Sequence, residues 1–433
     1  MRTEKRNAFL SGLCGFAVAL GMMATGAHGA VTTERGASIL AFPKVLADGD
    51  SDTIIQITNI SNNMVHARCF YVNAAPDVFG KPLWQVTDFT IWLTKQQPTH
   101  WQVSQGRFVD PTDTCIESGQ IVPSSYCANA GLDPGAVPPT PEGFVGELKC
   151  VEVDVADNPI GGNHLKGEAT INTDGDVSKY NAIGIQGTDL AGETGNQLML
   201  NQPLGSTDVV GQYDACPNVL LLNNFAEGVT DPFIFASALG GTCGCPAGDM
   251  SSCNEGTQQS VYEKIPCQTD ADCNPYVPSC NNGPQIVDPA TGELALRSAT
   301  LTDLTLVPCN EDFENSTPSS VTVQFDVYNE FEQHLSASTT ITCWANFFLF
   351  QVDSPNNPER SVFSYATLGT TVAHTRIIPN PDNHAVIGVA GVTRANADGD
   401  LARVAVNLHM EGDRFTGSGG TVIDTITLSD VNN

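Results

Sequence analysis

"DTIIQITNISNNMVHARCFYVNA", residues 52–74, places two apolar runs on either side of a Ser-Asn-Asn turn. In the first run Ile55 and Ile57 share a face; in the second Ala67, Cys69 and Tyr71 do. A period of two with a turn signal between the runs is the signature of paired antiparallel strands. The alternation recurs along the chain. "TDFTIWLT" groups Phe89, Ile91 and Leu93, and "VTVQFDVY" groups Val321, Val323, Phe325 and Val327. "ITCWANFFLF" aligns Ile341, Cys343 and Ala345, "ARVAVNLHM" aligns Val404, Val406, Leu408 and Met410, and "PNVLLLNNF" and "LTDLTLVP" read as further strands. No helical period is sustained. The expected fold is all-β, built of two antiparallel, immunoglobulin-like β-sandwich domains with disulfide-stapled loop insertions.

The expected layout is residues 1–30 as a signal peptide, 31–207 as the first sandwich and 208–433 as the second. The first carries a polar, proline-rich insertion at 109–143, and the second a cysteine-rich insertion at 240–285. The leader reading rests on Arg2, Lys5 and Arg6, then an apolar run from Ala8 to Leu20, then small residues up to Gly29 and Ala30. That is the order of a secretory signal. Leu13 stands before Cys14 where a lipoprotein signal needs a small residue, so Cys14 belongs to the discarded segment. No later run approaches the roughly 18 to 20 apolar residues a membrane helix needs.

Export decides how the cysteines are read. Of 14, 13 remain after processing, and an oxidising compartment lets them pair. "PCQTDADCNPYVPSC", residues 266–280, belongs to a segment that holds Cys243, Cys245, Cys253, Cys267, Cys273 and Cys280. It contains no Cys-x-x-Cys redox or haem pattern, and no histidine lies between His164 and His334 to complete a zinc site. A short stretch with so few large apolar residues needs covalent ties in place of a core, so these six are read as disulfides. Cys115 and Cys127 are expected to close the first insertion. Cys69 and Cys150 are expected to bridge the first core. Two of Cys216, Cys309 and Cys343 are expected to pair and the third to stay free.

Charge narrows the partners. The chain has 19 basic and 48 acidic side chains; loss of three basic residues and Glu4 with the leader leaves 16 against 47, a net charge of −31. A nucleic-acid binder needs a basic footprint, and an anionic membrane surface attracts one. Neither fits. Asp-Gly-Asp occurs at 48–50, 174–176 and 398–400. Each copy is a strong hairpin-turn signal. Calcium is the cation these oxygens would suit, but the surrounding positions do not supply an EF-type ligand set, so turns are the expectation and no resident cofactor is assigned.

Five stretches carry a resemblance: "DTIIQITNISNNMVHARCFYVNA", "TDFTIWLTKQQPTHW", "YDACPNVLLLNNF", "LTLVPCNEDFE" and "VYNEFEQHLSASTTITCW". Together they resemble uncharacterised exported β-rich proteins of delta-proteobacterial type. The Cys-x-x-Asp-x-Asp-Cys run from Cys267 to Cys273 resembles short cysteine-rich modules of exported myxobacterial proteins. The resemblance implies architecture and export, and brings no catalytic residues with it.

The chain has no Gly-x-Ser-x-Gly elbow, no His-Glu-x-x-His pair and no phosphate-binding Gly-Lys-Ser/Thr loop. Glu330 and Glu332 are spaced to share a strand face, as glycosidase carboxylates do. His66 and Arg68 fall opposite Cys69, on a face expected to meet solvent. Trp92, on the polar side of its strand, and His100 with Trp101 are the candidate binding surface, since exposed aromatics on flat sheets stack sugars. The expected function is an exported, non-enzymatic structural, adhesion or binding protein of the cell surface or extracellular space, facing a protein or glycan. The alternative is an exported hydrolase acting on carbohydrate through paired carboxylates. A deep cleft with two facing carboxylates would favour the second.

Overall fold

The computed structural model describes residues 31–76, 83–108, 114–117, 120–123, 134–203, 211–229, 299–395, 401–414 and 422–429. Cys127, the six cysteines from Cys243 to Cys280 and the Asp-Gly-Asp copy at 398–400 lie outside those residues, as do 109–113, 118–119 and 124–133 of the first insertion and all of the second, and the side chain of Cys115 is not described.

The strands, in chain order, begin with β1 (Val31–Thr32), β2 (Ile39–Ala47), β3 (Ser51–Asn59), β4 (Val65–Asn73), β5 (Gln85–Leu93) and β6 (Pro98–Gln102). Next come β7 (Thr114–Glu117), β8 (Gln120–Pro123), β9 (Phe144–Val153), β10 (Leu165–Thr173), β11 (Asp176–Asn181), β12 (Ile183–Ile185) and β13 (Gln197–Gln202). The later strands are β14 (Tyr213–Asp214), β15 (Val219–Phe225), β16 (Gly228–Val229), β17 (Ala299–Pro308), β18 (Glu311–Asp312), β19 (Ser320–Asn329) and β20 (His334–Thr342). The last are β21 (Ala345–Phe348), β22 (Val372–Pro379), β23 (Val386–Ala395), β24 (Leu401–Asn407), β25 (His409–Glu411) and β26 (Asp424–Thr427). Strand pairing is antiparallel almost throughout, and the fold is all-β as the alternation predicts.

In the first half, β2 and β3 touch only at Ala47↔Asp52 and then part. From there β2 continues between β9 and β12, while β3 continues between β10 and β6. The sheet therefore folds over on itself into a sandwich. Its core takes Ile55, Ile57, Trp101, Ala169 and Ile171 from one layer, and Leu40, Phe42, Ala67, Tyr71, Ile91 and Leu148 from the other. These are the faces the period-two pattern selects. Apolar surface removed from water contributes about 25 cal/mol per Å2, so this alternation fixes the register. A one-residue slip would put every such side chain outside.

The second half forms another sandwich. The sheet β20-β19-β22-β15-β25 faces the sheet β16-β17-β23-β24, with Val321, Val323, Phe325, Val327 and Ile377 packed on Leu304, Leu306 and Ala390. Two expected strands are corrected here. Cys343 has φ of 63° and interrupts "ITCWANFFLF", so β20 ends at Thr342 and β21 pairs with β17 in the facing sheet. "ARVAVNLHM" likewise divides into β24 and β25, which belong to different sheets; Val404 and Val406 are 48% and 37% exposed while Ala405 between them is buried.

The halves share a third core. The outer face of the β2-β9-β4 layer (Ile39, Ala41, Phe70, Val72, Val151 and Val153) packs on Leu200, Tyr213, Val307, Phe313, Ile387 and Ile426. Strand β13, before residue 207, pairs with β26 near the chain's end. The β2-β9-β4 layer is thus covered on both sides. A bulge between Phe42 and Val45 directs Lys44 across to an ion pair with Asp303, and Trp344 Nε1 donates to the Pro43 carbonyl at 2.7 Å.

Candidate functional site

Two-sided burial moves several side chains from where the alternation puts them. His66 and Arg68 are not on a solvated face; they are 6% and 4% exposed, His66 against Trp92 and the turn at Asp154 and Asp157, and Arg68 against Ser429 of the second half. His66 stacks on Trp92 with ring centroids 3.9 Å apart, and its Nδ1 lies 3.0 Å from the Asp154 carbonyl. Burial pushes the His66 imidazole below its ordinary value, which keeps the ring neutral. Arg68 bonds to Asp88 and to the Ser429 carbonyl.

Trp92 and Trp101 are also corrected. Trp92 is 8% exposed, with the His66 ring stacked on its indole, and its backbone N–H donates to the Pro134 carbonyl at 2.8 Å. Trp101 is 2% exposed, meets Phe89 edge to face at 5.8 Å, and donates its indole N–H to the Tyr71 hydroxyl at 2.5 Å. Neither indole offers a face to a ligand. Glu330 and Glu332 sit in the β19–β20 turn, where Glu332 has φ of 62° and Asn329 Oδ1 accepts from the Phe331 and Gln333 N–H groups. They do not share a strand face.

His100 is exposed, and it stands in an ordered place. Strand β3 pairs with β6 on one side and β10 on the other, in registers that set His100, Gln56 and Glu168 in one cross-strand row. Pro98, Thr58 and Lys166 form the row two residues away. All six side chains project from the face opposite the core, because Ile55, Ile57, Trp101 and Ala169 project inward. With Ile60 and Thr99 they line a shallow groove of about 420 Å3. Imidazole, carboxamide, carboxylate, hydroxyl and ammonium groups stand side by side on three strands of one sandwich. Sequence reading found His100 alone, since the register that brings β10 beside β6 leaves no local mark.

The Asp-Gly-Asp copies at 48–50 and 174–176 are turns. Asp48 Oδ1 accepts from the N–H groups of Asp50 and Ser51, and Asp174 and Gly175 have φ of 52° and 86° in a two-residue hairpin. Asp50, Asp52, Glu142 and Asp174 line one concavity of about 510 Å3. Asp52 is already engaged by Gln102 and Ser104.

Inside the shared core stands a second set of charged groups. Lys149 Nζ lies 2.8 Å from Glu147 Oε2 and 2.5 Å from Glu311 Oε2, and all three side chains are sealed from solvent. Burial and then the charge of Glu147 hold the Glu311 carboxyl well above the usual carboxylate range. Burial alone would lower the Lys149 ammonium, but its two acidic neighbours outweigh that and raise it. Burial, with Glu311 nearby, pushes the free thiol of Cys343 up to about 12. Sequence reading missed this cluster. Glu147 and Lys149 alternate with Leu148 and Cys150, a pattern normally written by one solvated face.

Disulfides join Cys69 to Cys150 and Cys216 to Cys309, leaving Cys343 free. The Cys69 bond differs in kind from an immunoglobulin bridge: it joins neighbouring strands of one layer, not the two layers. Asp424 lies against the Cys216 and Cys309 sulfurs, but both sulfurs are consumed in their bond and offer no thiolate to a metal.

No family model and no curated protein matches the chain. Among solved structures, the cryo-EM atomic structure of Broad Bean Stain Virus aligns with 94% of this chain and 100% of that chain at 10% identity. Its TM-score of 0.16 is too low for the likeness to carry an argument. No helix among the described residues is long and apolar enough to cross a membrane.

Proposed function

We propose that the chain is an exported binding protein of the cell surface or extracellular space, a disulfide-stapled pair of sandwiches that holds a polar sheet face toward a glycan. The observation that carries this is the cross-strand arrangement of His100, Gln56, Glu168 and Lys166 over a rigid core. Sugar hydroxyls both donate and accept hydrogen bonds. A flat row of carboxamide, imidazole, carboxylate and ammonium meets both needs, and Pro98 and Ile60 add apolar edges. The leader expected at 1–30 and the two buried disulfides fit an oxidising compartment, in keeping with the resemblance to exported delta-proteobacterial proteins.

The hydrolase reading has less support. A glycosidase needs two carboxyl groups that flank a substrate bond. Glu147 and Glu311 are close, but they are sealed in the core against Lys149. Glu330 and Glu332 lie in a turn. The test is a glycan array with the mature protein, with reducing ends measured on every glycan retained. Retention without hydrolysis is expected. Hydrolysis of a retained glycan would favour the enzyme reading instead.

A further inference from the structure

Lys149 needs one carboxylate to balance its charge, yet it has two. Glu147 and Glu311 both reach Nζ, and the second oxygen of each, Oε1, is buried without a hydrogen-bond partner. Burying one ammonium with two carboxylates would leave a net negative charge where solvent cannot reach it, a strongly unfavourable arrangement. The cluster avoids this by keeping one proton on Glu311, whose carboxyl sits well above its ordinary range. The resting set is an ammonium at Lys149, a carboxylate at Glu147 and a carboxylic acid at Glu311. Moving one proton from Nζ to Glu147, across their 2.8 Å hydrogen bond, leaves a neutral amine against a neutral carboxylic acid.

We propose that Lys149 and Glu311 condense into an intramolecular isopeptide bond, with Glu147 as the proton carrier. The Nζ lone pair attacks Cδ of Glu311 and the N–C bond forms. The C–O bond to the acid's hydroxyl breaks, and that hydroxyl leaves as water. Of the three protons on the ammonium, one stays on the amide nitrogen, one leaves in the water, and one remains on Glu147. Charge balances on both sides, and the step needs no oxidant, metal or activating group. Amines and acids condense slowly in water because both are charged there and water competes. Here the core excludes water, and fixed placement of reacting groups is worth effective concentrations on the order of 10^5 M or more. Lys149 is the nucleophile and Cys343 is not, because the thiol stays protonated beside the same carboxyl groups. The product ties β9 to β18 across 162 residues of chain, through the core that the two halves share. It also removes the buried charges.

The experiment is peptide mapping by mass spectrometry on the full purified chain, reduced and denatured. Trypsin should fail to cut after Lys149 and should release residues 108–166 linked to residues 298–360, lighter than the two peptides by one water. The linked peptide from the native sequence supports the bond. Cleavage after Lys149 with both peptides at full mass overturns it, whatever the variants do. A water-loss link found only between Lys44 and Asp303 overturns the assignment to Lys149. In Glu147→Gln, checked for folding by circular dichroism, the two peptides should appear separately; persistence of the link would remove the role given to Glu147. Lys149→Arg, which keeps the charge without an acylable amine, should also give separate peptides. A linked peptide in that variant would place the bond elsewhere.

Discussion

Cys69 and Cys150 stand directly opposite each other on neighbouring strands, with Cα atoms 4.0 Å apart, and their disulfide closes a separation of 81 residues inside one layer of the first sandwich. Both side chains are fully buried, in contact with the core that contains Ile55, Tyr71 and Leu148. The strands on either side are already aligned by the ladder, so the bond acts chiefly by restricting the unfolded chain. Replacing both cysteines by alanine should lower unfolding free energy by about 2 to 5 kcal/mol while leaving the fold intact. Urea denaturation measures this. A change near zero would mean that the bond adds nothing to what the ladder supplies.

Trp101 and Tyr71 form a hydrogen bond between two buried side chains, and the edge-to-face contact of Trp101 with Phe89 fixes the indole's orientation. Trp101→Phe keeps the ring's bulk but leaves the Tyr71 hydroxyl without its donor. The cost should be about 1 to 3 kcal/mol, the usual penalty for a stranded buried polar group. Adding Tyr71→Phe to that variant should recover part of the loss. If the double variant is as unstable as the two single losses summed, the hydrogen bond does not couple the two sites.

Asp214 on β14 has its carboxyl raised to about 7, chiefly by burial, with a backbone hydrogen bond from Gln186 and the charge of Arg35 opposing. The folded value lies above the unfolded one, so its stabilising contribution is complete below about pH 4 and is lost as pH rises to about 7. The full span corresponds to up to about 4 kcal/mol, reduced by the solvent that still reaches the group. Asp214→Asn should therefore flatten the decline of stability between pH 4 and pH 7, and should melt higher than the native chain at pH 8. Parallel profiles for the two proteins would contradict the assignment.

How much of this was legible in the sequence depends on what a period of two reports. It marks which residues of a strand share a face, and Ile55 with Ile57, Ala67 with Tyr71, Phe89 with Ile91 and Val321 with Val327 all go to cores as the alternation requires. It does not report what covers the other face. His66, Arg68, Glu147 and Lys149 look solvated in β4 and β9, because a polar side chain facing a second protein layer writes the same pattern as one facing water. Glu311 reaches Lys149 from 162 residues away, and the row that joins His100 to Glu168 depends on strand order. Neither has a local trace. The break at Cys343 was hidden for a different reason: an apolar run continues through it while the backbone turns left-handed and changes sheet.

The proposed role rests on the face formed by β6, β3 and β10, and the most direct measurement is calorimetric titration of a glycan retained on the array. The native chain is compared with His100→Ala, Lys166→Ala and the pair combined. These side chains lie outside the core, so thermal unfolding should be unchanged within about 0.5 kcal/mol. Each single variant should weaken binding by roughly 1 kcal/mol or more, about five-fold, and the pair should weaken it further. Unchanged affinity in a folded double variant would contradict the account, because it would put the glycan on some other part of the molecule.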